Sequence, residues 1–348
     1  MIWLTWRQFR TQAIVAASVL AAIAIALIVT GITLRGHYKD AGLPACHVHH
    51  DCAQLANNFL DQFRNGAIGH YSSVFYLGIV VLYLVPALIG LFWGAPLLAR
   101  EFETGTVRLA WNQSVSRNRW LWVKVGFVGL TAMATVGLLS LLITWWSSPI
   151  DRALSYAGPS AVIGVNRLDP ALFGARDITP IGYAAFAVVL GVVIGVLIRR
   201  TVPAMAVTLA VFAGVEVIWA GWIRPHLISP TVVRTPVTSA FEQLSVQAPS
   251  GRMTVLGDWY RAGAWVLSNR SVTPSGHVFT GPATSACLGN SFQSCTAWVL
   301  SKHLTQLVTY QPASRFWTFQ WFETGIFVVL AAALAAFCAW RLNRRRLA

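Results

Sequence analysis

Residues 98–123 of the chain read LAREFETGTVRLAWNQSVSRNRWLWV, and they separate two long apolar runs. Because apolar runs of this length cross membranes, the short polar stretch between them lies in water on one side. Its arginines indicate the cytoplasmic side, since cytoplasmic loops are rich in Lys and Arg. The stretch is also too regularly patterned for a passive connector, so it carries the prediction of the fold and the best indication of function.

The composition of the whole chain is typical of an integral membrane protein. Of its 348 residues, 56% are hydrophobic and only 11% are charged, whereas soluble domains carry about 25% charged residues. The net charge of +14 is expected where basic residues collect at cytoplasmic loop ends. We expect no nucleic-acid partner, because no basic patch with interleaved aromatic residues falls in a soluble segment.

Six apolar runs are long enough to cross about 30 Å of hydrocarbon, which takes roughly 20 helical residues. The predicted spans cover residues 13–34, 73–98, 121–146, 178–198, 202–222 and 317–340. They predict an all-α polytopic membrane protein with six transmembrane helices. The first run follows Arg7 and Arg10 as in a signal peptide, but it lacks a small-residue cleavage site, which favours a retained span.

The distribution of basic residues predicts that both termini lie in the cytoplasm. With the N-terminus inside, the cytoplasmic segments hold half of the 26 Lys and Arg residues. These are Arg7, Arg10, Arg100, Arg108, Arg117, Arg119, Lys124, Arg199, Arg200, Arg341, Arg344, Arg345 and Arg346. The preference for Arg over Lys is typical of GC-rich bacterial genomes, so we expect a multi-pass protein of a bacterial cell membrane.

The spans divide the chain into three predicted regions. Residues 1–222 hold five spans, an N-terminal helix lying in the membrane interface, and the polar loop at 99–121. Residues 223–316 form an external segment that is too long for a simple turn and is expected to fold. Apolar residues at helical spacing predict an amphipathic helix over residues 297–310. Residues 317–348 form the sixth span and a basic cytoplasmic tail.

Four of the five cysteines lie in external segments between the predicted spans. Cys46 and Cys52 share the first, and Cys287 and Cys295 share the large one. Because the outer face is oxidising, we predict two disulfides. The run CHVHHDC at residues 46–52 allows an alternative, since thiolate and imidazole bind zinc well. Its spacing matches no standard closed zinc site, so we predict no metal centre.

Two residues that are unusual inside apolar spans are candidates for a translocation path. A carboxylate at mid-membrane costs roughly 2.5–3.5 kcal/mol on insertion scales. Glu216 therefore either serves a substrate path or interface, or snorkels outward or pairs with a neighbouring helix. Pro86 is predicted to kink the second span. Gly191 and Gly195 have the spacing of a close contact between two membrane helices.

The polar stretch itself divides into a helix end, a turn and a short second helix. Gly105 can break the helix that continues from the second span, and Thr106 can cap a new helix over residues 106–111. From the residues alone, an ordinary amphipathic loop is an equal alternative. The residues of this stretch that are candidates for a functional contact are Arg100, Glu101, Glu103, Gly105, Thr106, Arg108, Leu109 and Trp111.

Glu101, Glu103, Gly105 and Thr106 form an E-x-E-x-G-T motif that resembles the coupling region of type-2 ABC exporter permeases. The stretches LTWRQFRTQ at residues 4–12 and YQPASRFWTFQWFETGIF at residues 310–327 resemble an actinobacterial branch of these permeases. The resemblance covers the full length, with six spans, a coupling loop after the second, and the largest external segment before the sixth. It is weak in most of the external segment, so it does not extend to a substrate.

The resemblance implies a permease dimer joined to two cytoplasmic ABC ATPase subunits, which would hold the ATP and Mg²⁺. The short helix would dock in a groove of the ATPase, whose closure would tilt the spans and move an apolar or amphipathic substrate outward. The chain has no P-loop and no recognised catalytic motif, which also predicts that nucleotide energy comes from another polypeptide. We therefore expect neither enzymatic activity nor a cofactor in this chain.

Two other functions fit the sequence. A membrane-embedded enzyme acting on lipid-linked substrates would use the external segment, where Glu242, Asp258 and His277 are available without a catalytic spacing. A non-transporting membrane partner or sensor of an ABC ATPase would use the same cytoplasmic contact.

Overall fold

Six membrane-spanning helices account for most of the molecule. The computed structural model describes residues 2–46, 52–105, 116–158, 166–238, 241–247, 252–257, 259–282, 284, 287 and 292–344. Six helices in it are long and apolar enough to cross a membrane: Phe9–Asp40, His70–Glu103, Asn118–Tyr156, Thr179–Ile198, Thr201–His226 and Ala313–Arg344. They coincide with the six predicted spans, so the prediction of a helical polytopic membrane protein is confirmed.

The bundle has two ends, which we name by what lies there. Phe9 near the start of the chain packs against Trp93, and Asn343 near its end bonds to Asn118, so both termini share what we call the terminal end. The strands lie at the opposite end, which we call the sheet end. The predicted interfacial helix is not a separate element, because residues 2–12 form the first turns of one helix, Ile2–Asp40.

The fourth span is the centre of the bundle. Nearly all of its residues are buried, and it packs against the second, third, fifth and sixth spans. An apolar helix without a polar face is expected at such a position. The first and fifth spans expose most of their surface, which inside a membrane would meet lipid or another protein.

Glycine pairs bring the second and fourth spans into backbone contact. Gly90 and Gly94 face the fourth span, and a Cβ added to Gly94 would lie 2.5 Å from the carbonyl oxygen of Val188. A Cβ added to Gly191 or Gly195 would meet the backbone of the second span at 2.6 Å. The close contact predicted for Gly191 and Gly195 is therefore confirmed, and its partner is a second glycine pair.

Two spans depart from regular α-helical geometry. The second span consists of helix His70–Ile89, a π-helical segment Gly90–Gly94 and helix Ala95–Glu103, and Pro86 lies inside the first of these helices. The fifth span consists of helix Thr201–Ile218, a π-helical segment Trp219–Ile223 and a short helix Arg224–His226. Single π turns are frequent at functional sites, because the extra residue turns side chains to a new face.

The sheet end contains strands that the sequence analysis did not predict. The strands are β1 Thr231–Pro236, β2 Phe241–Gln247, β3 Arg252–Gly257, β4 Trp265–Val272, β5 Gly281–Pro282 and β6 Thr305–Gln311. They form two antiparallel three-stranded sheets of order β1-β6-β4 and β2-β3-β5. Three shorter helices are Cys52–Asn65, Pro170–Phe173 and Phe292–Ser301, and the first of them packs against the second and third spans.

The helix predicted over residues 297–310 is wrong in its second half. The helix ends at Ser301, and the chain then enters β6, the central strand of its sheet. His303 has a positive φ of 47°, which a continuing helix does not allow. Beyond it, Gln306, Val308 and Tyr310 are buried while Thr305, Leu307 and Thr309 are partly exposed, a period of two that is typical of a strand.

The two predicted disulfides have different outcomes. Cys287 and Cys295 are joined, and Cys295 is buried in the small core beneath the second sheet. Cys46 and Cys52 are both thiols in the structure, so that predicted disulfide is corrected. Cys52 is the first residue of a helix, and its Sγ lies 2.9 Å from the carbonyl oxygen of Cys46 and close to the Cys46 thiol.

Candidate functional site

Two glutamates at the terminal end bind the second span to its neighbours. Glu101 and Glu103 are two residues apart on one helix, so their side chains leave it in different directions. The Glu101 carboxylate accepts a hydrogen bond from the Lys124 ammonium of the third span. The Glu103 carboxylate accepts from the backbone N–H of Thr201 at 2.9 Å and from its hydroxyl at 2.6 Å. We call these four residues the glutamate clamp.

Each half of the glutamate clamp has a clear physical basis. Thr201 is the first residue of the fifth span, where backbone N–H groups lack partners within the helix and where a negative charge is favoured by the helix dipole. Lys124 is buried although it is charged, and such a residue requires a partner. Its ammonium lies 5.0 Å from the ring centre of Trp120 as well as on Glu101. The clamp therefore links the second, third and fifth spans at one level.

The polypeptide leaves the clamp through a residue with left-handed backbone geometry. Gly105 has φ of +72°, which favours glycine, and its N–H donates to the carbonyl of Phe102 at 3.3 Å. Arg100 is exposed beside the clamp. The other predicted coupling residues, Thr106, Arg108, Leu109 and Trp111, lie outside the described residues, and so does the helix predicted over 106–111.

A groove of about 690 Å³ opens beside the glutamate clamp. Residues of the first, second and fifth spans line it. Its apolar wall includes Phe92 and Pro96, and its polar wall includes Gln12, Arg100 and Thr201. The groove thus has the mixed character that an amphipathic molecule would match.

A second candidate site is an ion pair buried between the spans, close to the sheet end. Arg224 and Glu323 are 1% and 0% exposed. The guanidinium donates to both carboxylate oxygens at 2.8 Å, one bond from Nε and one from Nη2. Tyr183 of the fourth span donates its hydroxyl hydrogen to the same carboxylate. A buried charge pair held in this bidentate way joins the fourth, fifth and sixth spans.

Further bonds hold this pair in position. Arg224 Nη1 donates to the carbonyl of Pro170 at 2.9 Å, and the hydroxyl of Tyr83 in the second span reaches the same carbonyl at 3.3 Å. Gln320, three residues before Glu323, accepts from the backbone N–H of Thr179 at 3.0 Å and caps the fourth span. The π-helical segment directly before Arg224 changes the face on which this arginine lies.

Glu216 adjoins this cluster without joining its hydrogen bonds. Both of its carboxylate oxygens are buried, and neither has a hydrogen-bond partner among the described residues. The charged groups that interact with it electrostatically in the structure are Arg224 and Glu323. We call Arg224, Glu323, Tyr183, Tyr83 and Glu216 the intramembrane polar cluster.

Part of this cluster could be predicted from the sequence. Glu216 stood out in the sequence, but the fifth span was predicted to end at residue 222, before Arg224. The available signal was the pair itself, an arginine two residues beyond the predicted fifth span and a glutamate seven residues into the sixth. Pro86, the other predicted path residue, is buried four residues before the π-helical segment of the second span.

The sheet end carries two more ion pairs next to a cavity of about 340 Å³. Arg176, which is fully buried, lies 3.6 Å from Asp151, and Arg167 lies 2.9 Å from Asp177. Burial lowers the pKa of the Arg176 guanidinium from its ordinary value, and the nearby Asp151 opposes that shift. Asp151 and Arg167 line the cavity together with Trp259 and other residues. Arg261 lines the cavity as well, so the charged side chains of its lining are two arginines and one aspartate.

The residues considered for metal binding and for enzymatic activity lie in the segment after the first span and in the segment after the fifth. Among the residues that it describes, no group of three or more His, Cys, Asp or Glu side chains is placed to hold a metal ion. Residues 47–51 of the CHVHHDC run are outside that set. His277 is exposed in a turn at the sheet end, while Asp258 and the side chain of Glu242 are not described.

Comparison with known proteins gives one match. The family model described as "ABC-2 membrane transporter related" matches residues 17–224, which is more than half of the chain. The matched residues include the glutamate clamp and end at Arg224. No curated protein and no solved structure matches the chain.

Proposed function

The chain belongs to the family of ABC-2-related membrane transporters, and we propose that it is the permease subunit of an ATP-driven ABC exporter. Permeases of this family are in general the non-enzymatic membrane component of a transporter and work with ATPase partners. In this proposal the chain moves an apolar or amphipathic substrate outward, and a separate ATPase subunit holds the ATP and Mg²⁺.

The proposed orientation places the terminal end in the cytoplasm of a bacterial cell. The basic residues at the starts and ends of the spans support it, because they concentrate at the terminal end, among them Arg100, Arg199, Arg200 and Arg344. The sheet end then lies on the external side of the membrane, which is oxidising, so the disulfide between Cys287 and Cys295 is chemically stable there.

The glutamate clamp is the observation that carries the proposal. A force applied to the loop after Gly105 would reach the second span directly, and through Glu101 and Glu103 it would reach the third and fifth spans. Rigid elements joined by hydrogen bonds move together, so a small displacement at the loop becomes a tilt of several spans. We propose that the ATPase contacts the loop through Thr106, Arg108, Leu109 and Trp111, with Arg100 beside them.

The exposed faces of the first and fifth spans provide room for a second permease copy. Large apolar side chains on the fifth span, such as Val202, Val217 and Trp222, are more than two-thirds exposed. In the membrane, lipid or another chain would cover them. The ABC-2 architecture suggests a dimer of permeases with two ATPase subunits, and the substrate path would run from the groove beside the clamp toward Pro86 and Glu216.

The proposal is tested by transport into sealed vesicles that contain the permease with its ATPase. We expect ATP-dependent movement of an amphipathic reporter in the wild type and loss of that movement in Gly105→Pro. Proline holds φ near −65° and lacks the N–H that Gly105 donates to Phe102, so the substitution changes the exit of the loop.

A matched control exists at the other end of the molecule. Gly276 has φ of +85° and also donates its N–H to a backbone carbonyl, that of Thr273 at 2.8 Å. Gly276→Pro therefore introduces the same local strain at the sheet end, and we expect it to keep transport. Normal transport by Gly105→Pro, or equal loss in both variants, would contradict the proposed role of the loop.

A further inference from the structure

The intramembrane polar cluster holds one more carboxylate than it has cations. Glu216 and Glu323 are the carboxylates, and Arg224 is the cation. Tyr83 of the second span and Tyr183 of the fourth are the other titratable groups that face them. With both glutamates ionised, the cluster would carry a net charge of −1 inside the membrane.

Arg224 has little capacity left for Glu216. A guanidinium has five N–H groups. In the structure, Nε and Nη2 donate to Glu323, Nη2 also donates to Tyr183, and Nη1 donates to the carbonyl of Pro170. Four of the five N–H groups are therefore directed away from Glu216, which agrees with the lack of any hydrogen bond to its carboxylate.

An ionised carboxylate in this position would be costly. Burial of a charged group without hydrogen bonds is so unfavourable that the group is normally neutralised instead. Because both oxygens of Glu216 are buried, water cannot compensate the charge as it does at a surface. A bound proton compensates the charge fully, and it requires no cavity.

We propose that Glu216 is a proton-binding site, neutral while Arg224 is held by Glu323. On release, the O–H bond of the carboxyl breaks, its electron pair remains on the carboxylate, and the proton passes to water. The ionised Glu216 on the fifth span then competes with Glu323 on the sixth for the same guanidinium. Proton occupancy is thereby coupled to the contact between these two spans. The inference goes beyond the proposed function, because it assigns a ligand that neither the substrate nor the ATPase supplies.

The proton is observed directly by infrared spectroscopy of the purified full-length protein in lipid discs. We expect a C=O stretching band of a protonated carboxyl at neutral pH in the wild type. This band should disappear in Glu216→Gln and remain in Asp61→Asn, which removes an exposed carboxylate at the sheet end. An unchanged band in Glu216→Gln, or no such band in the wild type at neutral pH, would overturn the inference.

Thermal unfolding provides a second readout that does not depend on transport. Gln has the shape of a protonated Glu and no charge, and unlike Glu216 it releases no proton on unfolding, so Glu216→Gln should unfold at or above the wild-type temperature at neutral pH. As the pH is raised from the acid range, where the unfolded glutamate is also protonated, to the pH at which the band is lost, the melting temperature of the wild type should fall relative to that of the variant. A variant that is much less stable at neutral pH would instead show that Glu216 is ionised and needed as a charge. Transport measurements are not involved, so failure of the exporter proposal and failure of this inference are distinguishable.

Discussion

Replacing Arg224 by Met tests how strongly the buried ion pair holds the spans together. Methionine is unbranched and adapts to the space of the arginine stem, so packing is largely kept while the charge and the donors are removed. Glu323 would retain the hydrogen bond from Tyr183 and lose both contacts to the guanidinium, and the carbonyl of Pro170 would lose the donor Nη1.

The expected cost follows from the burial of both partners. Removing one member of a buried, hydrogen-bonded ion pair costs about 3–5 kcal/mol, because the other charge stays buried and uncompensated. The Pro170 carbonyl would keep only the longer hydrogen bond from the Tyr83 hydroxyl, and the loss of the arginine donor accounts for about 1 kcal/mol of that range. On the scale of about 2–4 °C per kcal/mol found for domains of 150–250 residues, the melting temperature should fall by roughly 6–20 °C.

Thermal unfolding in detergent, followed by tryptophan fluorescence, measures this shift. The double variant Arg224→Met/Glu323→Met is the matched comparison, since replacing a whole buried pair by apolar residues is often neutral. We expect the double variant to recover most of the stability that the single variant loses. A single variant within about 1 kcal/mol of the wild type, or a double variant as unstable as the single one, would refute the reasoning.

Three further predictions concern helix contact and the glutamate clamp. Gly94→Ala should destabilise the protein by about 1–3 kcal/mol in thermal unfolding, because the added methyl group meets the Val188 carbonyl of the fourth span. The control is Gly129→Ala, whose added Cβ meets no described atom within 4 Å and which should not lower the melting temperature. Lys124→Met should cost about 1–3 kcal/mol by leaving the Glu101 carboxylate without its ammonium partner, as measured by thermal unfolding. Glu103→Ala removes an exposed contact, so the melting temperature should change little while ATP-coupled vesicle transport falls; unchanged transport would contradict a role for the clamp.

The spans were predictable because their signal is local. Six apolar runs of sufficient length require nothing but their own composition, and the fourth span contains its glycine pair within five residues, at Gly191 and Gly195. The strand β6 was not predictable in the same way. Its apolar residues follow those of a real helix without a gap, so helical spacing extends by chance across the break at His303.

Only one partner of each contact in the candidate sites could be predicted from the sequence. Glu101, Glu103 and Glu216 stand out in the sequence, but the residues that determine their surroundings lie far along the chain. Glu103 is hydrogen-bonded to Thr201, 98 positions later, and Arg224 to Glu323, 99 positions later. Such pairs become visible only when the helices are packed. The thiols Cys46 and Cys52 show the opposite error, since closeness in sequence suggested a bond that their local geometry does not form.

Site-specific cross-linking from the loop after Gly105 tests the central proposal most directly. A photoreactive residue at Trp111, in cells that express the protein at native level, should become covalently joined to a polypeptide that carries a nucleotide-binding motif. The same probe at Ser275, in a turn at the sheet end, should give no such product. If the Trp111 probe captures no ATPase, or if both positions capture it equally, the loop is not the site at which this permease receives energy from ATP.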